Sequence, residues 1–138
     1  MKHQYETRVY YSDTDMYGVA WHGSYIRWME AARVEFCRSI GLDLVELSDK
    51  DIILPVTNIN INYKSSAKLD DELIVETETQ SMSKIVMIFH QTIKNKQSGQ
   101  VYIDGTVSVV AVNHNAKLYK GIPEIILNKL RATGVCKD

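Results

Sequence analysis

The residues best suited to chemistry lie in one stretch, Arg8 to Tyr25, which reads RVYYSDTDMYGVAWHGSY. Asp15 is the first of them. A carboxylate on a loop just ahead of a helix start sits beside backbone N–H groups that favour developing negative charge. It has two uses: attack on an acyl carbonyl carbon to give a mixed anhydride, or deprotonation of a water that attacks instead. Either route makes an oxyanion that needs preorganised donors, and the backbone N–H groups of His22 and Gly23 are the natural ones. His22 follows Asp15 by seven residues. From the mouth of the helix its imidazole can reach the carboxylate, the water or the leaving group. Gly18 permits a sharp turn and Gly23 a close approach of substrate. Asp13 and Asp15 are close enough to suggest a cation, but a hard cation wants several more oxygen ligands than cluster here, so no metal is expected.

These residues need elements to hold them. Tyr5 to Tyr11 reads as a first strand, and Ser12, Asp13, Thr14, Asp15 and Gly18 supply turn chemistry after it. Tyr25, Trp28, Met29, Ala32, Phe36 and Ile40 then recur at three- and four-residue steps, while Arg27, Glu30 and Arg38 fall off the stripe. This spacing predicts an amphipathic helix with Ser24 as N-cap and Gly41 as a left-handed C′ residue. Trp21, Tyr25 and Trp28 could line an acyl or aromatic pocket, but Tyr25 and Trp28 are assigned to the core, since aromatic residues at helical spacing usually pack there. Beyond Pro55, Ile59, Ile61 and Tyr63 alternate with Asn58, Asn60 and Asn62, the period of a strand. Leu73 to Thr79, Lys84 to Ile93 and Val101 to Val112 are three further strands, the last two central, with Asn95 to Gly99 as a turn between them. Pro123 opens a short closing helix as its first residue. The order is strand, long apolar helix, then four strands, which predicts an α+β fold with about five antiparallel strands wrapped around the helix. The asparagine face and any open sheet edge invite a second subunit.

Composition narrows the function classes. The 138 residues are 45% apolar and 24% charged, values ordinary for one globular domain spanning 1–138. With 16 Lys+Arg against 17 Asp+Glu the net charge is −1, so phosphate attraction has no source and no nucleic-acid partner is expected. Apolar runs fall far short of the roughly 20 residues a membrane span needs, and the first residues lack an apolar signal core. Cys37 and Cys136 are isolated and form neither a disulfide framework nor a zinc site. These features predict a cytoplasmic protein without membrane partners.

In Arg8-Val9, Thr14-Asp15, Gly18-Val19 and His22 the first stretch resembles the signature of the 4-hydroxybenzoyl-CoA thioesterase family of hot-dog-fold proteins, in particular its YbgC-like acyl-CoA thioesterases. The later YKSSAKLDDEL, Tyr63 to Leu73, resembles a second family segment, with Ser66 where proline is usual. An isolated Asp-x-x-Gly loop is usually a turn former. The matched spacing favours a catalytic Asp15 instead. The resemblance implies hydrolysis of an acyl-CoA or acyl-carrier-protein thioester without cofactor, by a homodimer or homotetramer with sites between protomers. Asp15 would be nucleophile or base and His22 a supporting group. Coenzyme A phosphates call for basic residues, and Lys64, Lys68 and Lys84 are the candidates, Lys84 at a position where relatives often place one. His3, His90 and His114 read as structural or solvated. Two other readings keep the fold: a hydratase or dehydratase of acyl thioesters using Asp15 and His22 as acid and base, and a non-catalytic acyl-CoA-binding module.

Overall fold

The computed structural model describes residues 2–133; Cys136 lies outside the described residues. Five strands form one antiparallel sheet in the order β1-β3-β4-β5-β2: β1 His3–Arg8, β2 Val56–Tyr63, β3 Glu72–Met82, β4 Met87–Asn95 and β5 Val101–Val109. Helix α1, His22–Ser39, lies in the curve of this sheet against β1, β3 and β4. The α+β arrangement expected from the sequence is the one observed, with β4 and β5 interior.

The apolar stripe explains where α1 sits. Tyr25, Trp28, Met29, Ala32 and Phe36 are all buried, and they meet the inward residues Leu73, Val75, Phe89, Ile93, Ile103 and Val107 in one core. Phe36 stands edge-on to Phe89 at 5.7 Å between ring centroids, a favourable aromatic geometry. Gly41 closes the helix as expected: its φ is +85°, Gly41 N–H donates to Arg38 O at 3.1 Å and Leu42 N–H to Cys37 O at 2.8 Å. That pair of bonds is a Schellman motif.

Several expected boundaries move, each for a local reason. The first strand ends at Arg8 rather than Tyr11, because Asp13 accepts the Tyr10 N–H at 2.8 Å and winds Tyr11–Asp13 into a 3-10 turn. Ser24 is not the N-cap. Trp21 takes that position, and the buried Ser24 hydroxyl donates to Asp13 O at 2.9 Å instead. Lys84 belongs to the β3–β4 turn, where Ser83 Oγ accepts the Val86 N–H at 3.1 Å, so β4 starts at Met87. Residues beyond Val109 leave β5 and bridge Ile53 and Leu118 through Val112. A short helix α2, Leu44–Asp49, was not expected; Asp43 caps it by accepting the N–H groups of Val45 and Glu46. The last helix, α3, Glu124–Arg131, has Pro123 as N-cap and not as its first residue. Among the described residues no helix is long and apolar enough to cross a membrane.

Candidate active site

Two segments far apart in sequence are laced together beside the start of α1. Ala20 N–H donates to Ala67 O at 2.8 Å, Val19 bridges Lys68, and Ala67 N–H donates to the Tyr25 hydroxyl at 2.9 Å. The loop of Asp15 is thereby fixed against the loop of residues 64–71. Between them opens a groove of about 390 Å³ lined by Asp15, Val19, His22, Tyr25, Tyr63 and Lys64, with Ser65 and Ser66 on the same wall.

Asp15 is partly buried at the turn of its loop. Its Oδ1 accepts the Tyr17 N–H at 2.8 Å, and its backbone carbonyl accepts the Gly18 N–H at 3.1 Å, with Gly18 at a φ of +78°. The positive φ is the reason for glycine there. Oδ2 of Asp15 has no protein partner among the described residues, so one carboxylate oxygen of this groove-lining residue is unspent. His22 and Gly23 are the first two residues of α1, and among the described residues neither backbone N–H donates to a protein acceptor; the next one, Ser24 N–H, is taken by Trp21 O at 2.8 Å. Two unpaired N–H groups and the positive end of the helix are what an oxyanion requires.

Asp13, paired with Asp15 in sequence, has a different job. It is 3% exposed, ion-paired to Arg27 on α1. Its backbone carbonyl accepts from Trp21 N–H and Ser24 Oγ. With Tyr10 N–H on one carboxylate oxygen and Arg27 on the other, Asp13 is wholly committed to anchoring the loop to the helix.

Tyr63 is a site residue the sequence reading missed, and Tyr25, which that reading weighs as pocket-lining and assigns to the core, serves as both. Tyr25 is buried as expected of a core residue, yet its hydroxyl end also lines the groove, and burial pushes its phenol above the ordinary tyrosine value, holding it protonated. Tyr63 stands edge-on to it at 5.6 Å and donates its hydroxyl proton to His22 O at 3.3 Å. The available signal was its place at the head of YKSSAKLDDEL. Trp21 lies outside the groove lining and folds over Gly23, while its ring centroid is 5.0 Å from that of His22.

Lys64 lines the groove. Lys84 does not. The ladder pairs Met87 with Val109 and Ile93 with Ile103, which sits opposite Tyr63, so the β3–β4 turn lies at the far end of the sheet. At about 3.3 Å per residue the six steps from Met87 to Ile93 span ~20 Å. Of the other histidines, His90 bridges Asp104 and Glu78 across the outer face of the sheet, His114 ties to Ser48 O at 2.8 Å, and His3 packs on Phe36.

A long helix wrapped by a five-stranded antiparallel sheet of this order defines a hot-dog fold. The model of the thioesterase superfamily matches residues 17–102, and the chain belongs to that family. The acyl-CoA thioester hydrolase YbgC of Escherichia coli is 30% identical over 128 residues, 93% of this chain and 95% of that protein. A 1,4-dihydroxy-2-naphthoyl-CoA thioesterase from Synechocystis shares the fold with a TM-score of 0.88 at 21% identity, over 99% of this chain and 100% of that one. A variant of 4-hydroxybenzoyl-CoA thioesterase, solved with 4-hydroxybenzoyl-CoA, superposes with a TM-score of 0.84 at 19% identity, over 94% and 98% of the two chains.

Proposed function

We propose that this protein is an acyl-CoA thioesterase and that residues 1–138 act as one domain. The observation that carries the reading is that Asp15, with one carboxylate oxygen unspent, and His22, the first residue of α1, line one groove at the end of the helix where, among the described residues, the N–H groups of His22 and Gly23 have no protein acceptor. Thioester hydrolysis needs little more. Asp15 either adds to the acyl carbon or takes a proton from the water that does, and the carbonyl electrons move onto an oxygen held by the two N–H groups. Collapse of that intermediate expels the coenzyme A thiolate; in the first route water then cleaves the mixed anhydride, releasing the acid and restoring the Asp15 carboxylate. Thiols ionise near pH 8.5, so the leaving group needs little protonation, and His22 at the groove wall is placed to assist it. Water supplies the hydroxyl of the acid and, on balance, the proton of the thiol.

Lys64 on the groove wall is the phosphate contact this chain offers. Lys84, at the far end of this chain's sheet, would come to the same groove from a second copy in a homodimer or homotetramer whose sites lie between protomers. An acyl-carrier-protein thioester presents the same phosphopantetheine arm and is a second substrate form. The cytoplasm, where such thioesters are made and used, is the compartment this reading assigns.

The test is release of free thiol from benzoyl-, acetyl-, hexanoyl- and palmitoyl-CoA, with Asp15→Asn alongside. Asparagine keeps the shape and removes both nucleophile and base. At least one thioester is cleaved, and the variant loses ~100-fold or more in kcat. A variant as active as the parent would refute the role of Asp15, and no thiol from any of the four would refute the acyl-CoA reading.

A further inference from the structure

A second cavity opens beside α1 and shares no lining residue with the groove. Its wall includes Val34 and Cys37, and Cys37 is about 22 Å along the helix axis from His22 at 1.5 Å per residue. The volume is about 300 Å³, and the lining is mostly apolar: Val34, Cys37, Leu54, Phe89 and Val109. Ligand pockets of small molecules begin at about this size.

One wall residue is out of keeping with that lining. Arg33 reaches the cavity with a guanidinium that is largely removed from water, and burial pulls it below the usual arginine value against the opposing pull of Glu30 and Cys37. Arg8, Arg27, Arg38 and Arg131 each hold a carboxylate. Arg33 holds none among the described residues. Its bond is to a neutral group: Nη1 donates to Gln91 Oε1 at 3.0 Å. Gln91 is fully buried and cannot turn away, because its Nε2 donates to Met29 O and to Thr77 Oγ1, both at 2.9 Å. The core thus fixes a cation at the edge of an apolar cavity with no carboxylate bonded to it among the described residues, Glu30 on the same wall acting on it only through space. A charge so placed is costly until an anion arrives.

We propose that this cavity is a second binding site, for a free aliphatic monocarboxylate, with the carboxylate on Arg33 and the tail against Val34, Leu54, Phe89 and Val109. A planar guanidinium receives a carboxylate through two parallel hydrogen bonds, and the apolar wall takes a tail of moderate length. Glu30 stands exposed at the rim and repels a second negative charge. Dicarboxylates and coenzyme A are therefore disfavoured. Monocarboxylates are also what thioester hydrolysis releases, a connection that rests on the function proposed above; the binding itself does not.

Cys37 reports on occupancy. It is 7% exposed, and burial pushes its thiol up to about 11, so an aromatic disulfide reagent modifies it slowly. In a Cys136→Ser background, saturating octanoate slows that modification at least tenfold, while 1-octanol and the dicarboxylate suberate do so far less. Arg33→Gln weakens octanoate protection by about tenfold or more. Val34→Phe fills the cavity and abolishes protection with Arg33 in place, which guards against a folding defect in the arginine variant; the melting temperature of each is measured alongside. Equal protection by 1-octanol, undiminished protection in Arg33→Gln, or inhibition of thiol release by octanoate without protection of Cys37 overturns the proposal. Asp15→Asn keeps the protection whether or not the protein is a thioesterase, so the two readings fail separately.

Discussion

Trp21 and Gly23 are coupled through one contact. A Cβ built on Gly23 would lie 2.1 Å from the Trp21 ring, so glycine at 23 is what lets the indole rest on the first turn of α1. Trp21 is 52% exposed and free to swing away. Gly23→Ala keeps the backbone N–H and improves helix propensity by up to about 1 kcal/mol, so the helix itself survives. What changes is the indole, which must leave its seat beside His22. Its fluorescence shifts to longer wavelength, and kcat/KM for the thioester falls several-fold as the indole no longer packs beside the His22 ring. Trp21→Ala produces the same fall, and the double variant adds nothing to it, because both changes remove a single contact. Steady-state kinetics of the three variants checks this.

Asp13 and Arg27 hold two elements in register, the loop that follows β1 and the helix α1. The pair is unequal: Arg27 is well exposed and Asp13 is buried. Arg27→Met removes the exposed partner but leaves a buried carboxylate answered only by the Tyr10 N–H, at a cost of about 1–3 kcal/mol. Adding Asp13→Asn removes the stranded charge, so the double variant is more stable than Arg27→Met alone in urea titration. Nothing in the sequence distinguishes Asp13 from Asp15 in this way. The strands and α1 are legible because their apolar periods of 2 and 3.6 are local, and the Gly41 terminator stands directly after the last periodic residue. The N-cap misleads because Ser24 fits the usual type, whereas its hydroxyl is spent on Asp13 O across a gap of 11 residues. Helix α2 is too short to show a period. Arg33 and Gln91 come together over 58 residues through sheet curvature that no window of sequence contains.

At the scale of the whole molecule, β2 is the feature left unfinished. It pairs with β5 on one side only, seven of its eight residues are exposed, and Val56, Ile59 and Tyr63 are apolar among them. Ile26 on α1 is exposed as well. An open edge of this length is a template for another strand, and natural proteins cover such edges. A second copy laid there under two-fold symmetry would cover the β2 edge of both copies and bring the Lys84 turn of each toward the groove of the other. Ile59→Lys therefore lowers the mass seen by light scattering to that of the monomer and lowers thiol release with it. Mixing locates Lys84. If each site joins Asp15 of one copy to Lys84 of the other, Asp15→Asn and Lys84→Glu proteins are each impaired alone. Unfolded together and refolded, half of the random pairs are mixed and one of the two sites in each is intact, which restores about a quarter of the parent rate. Were Lys84 to serve its own chain, each site of a mixed pair would carry one of the two substitutions, and the mixture would be no more active than the average of its parts.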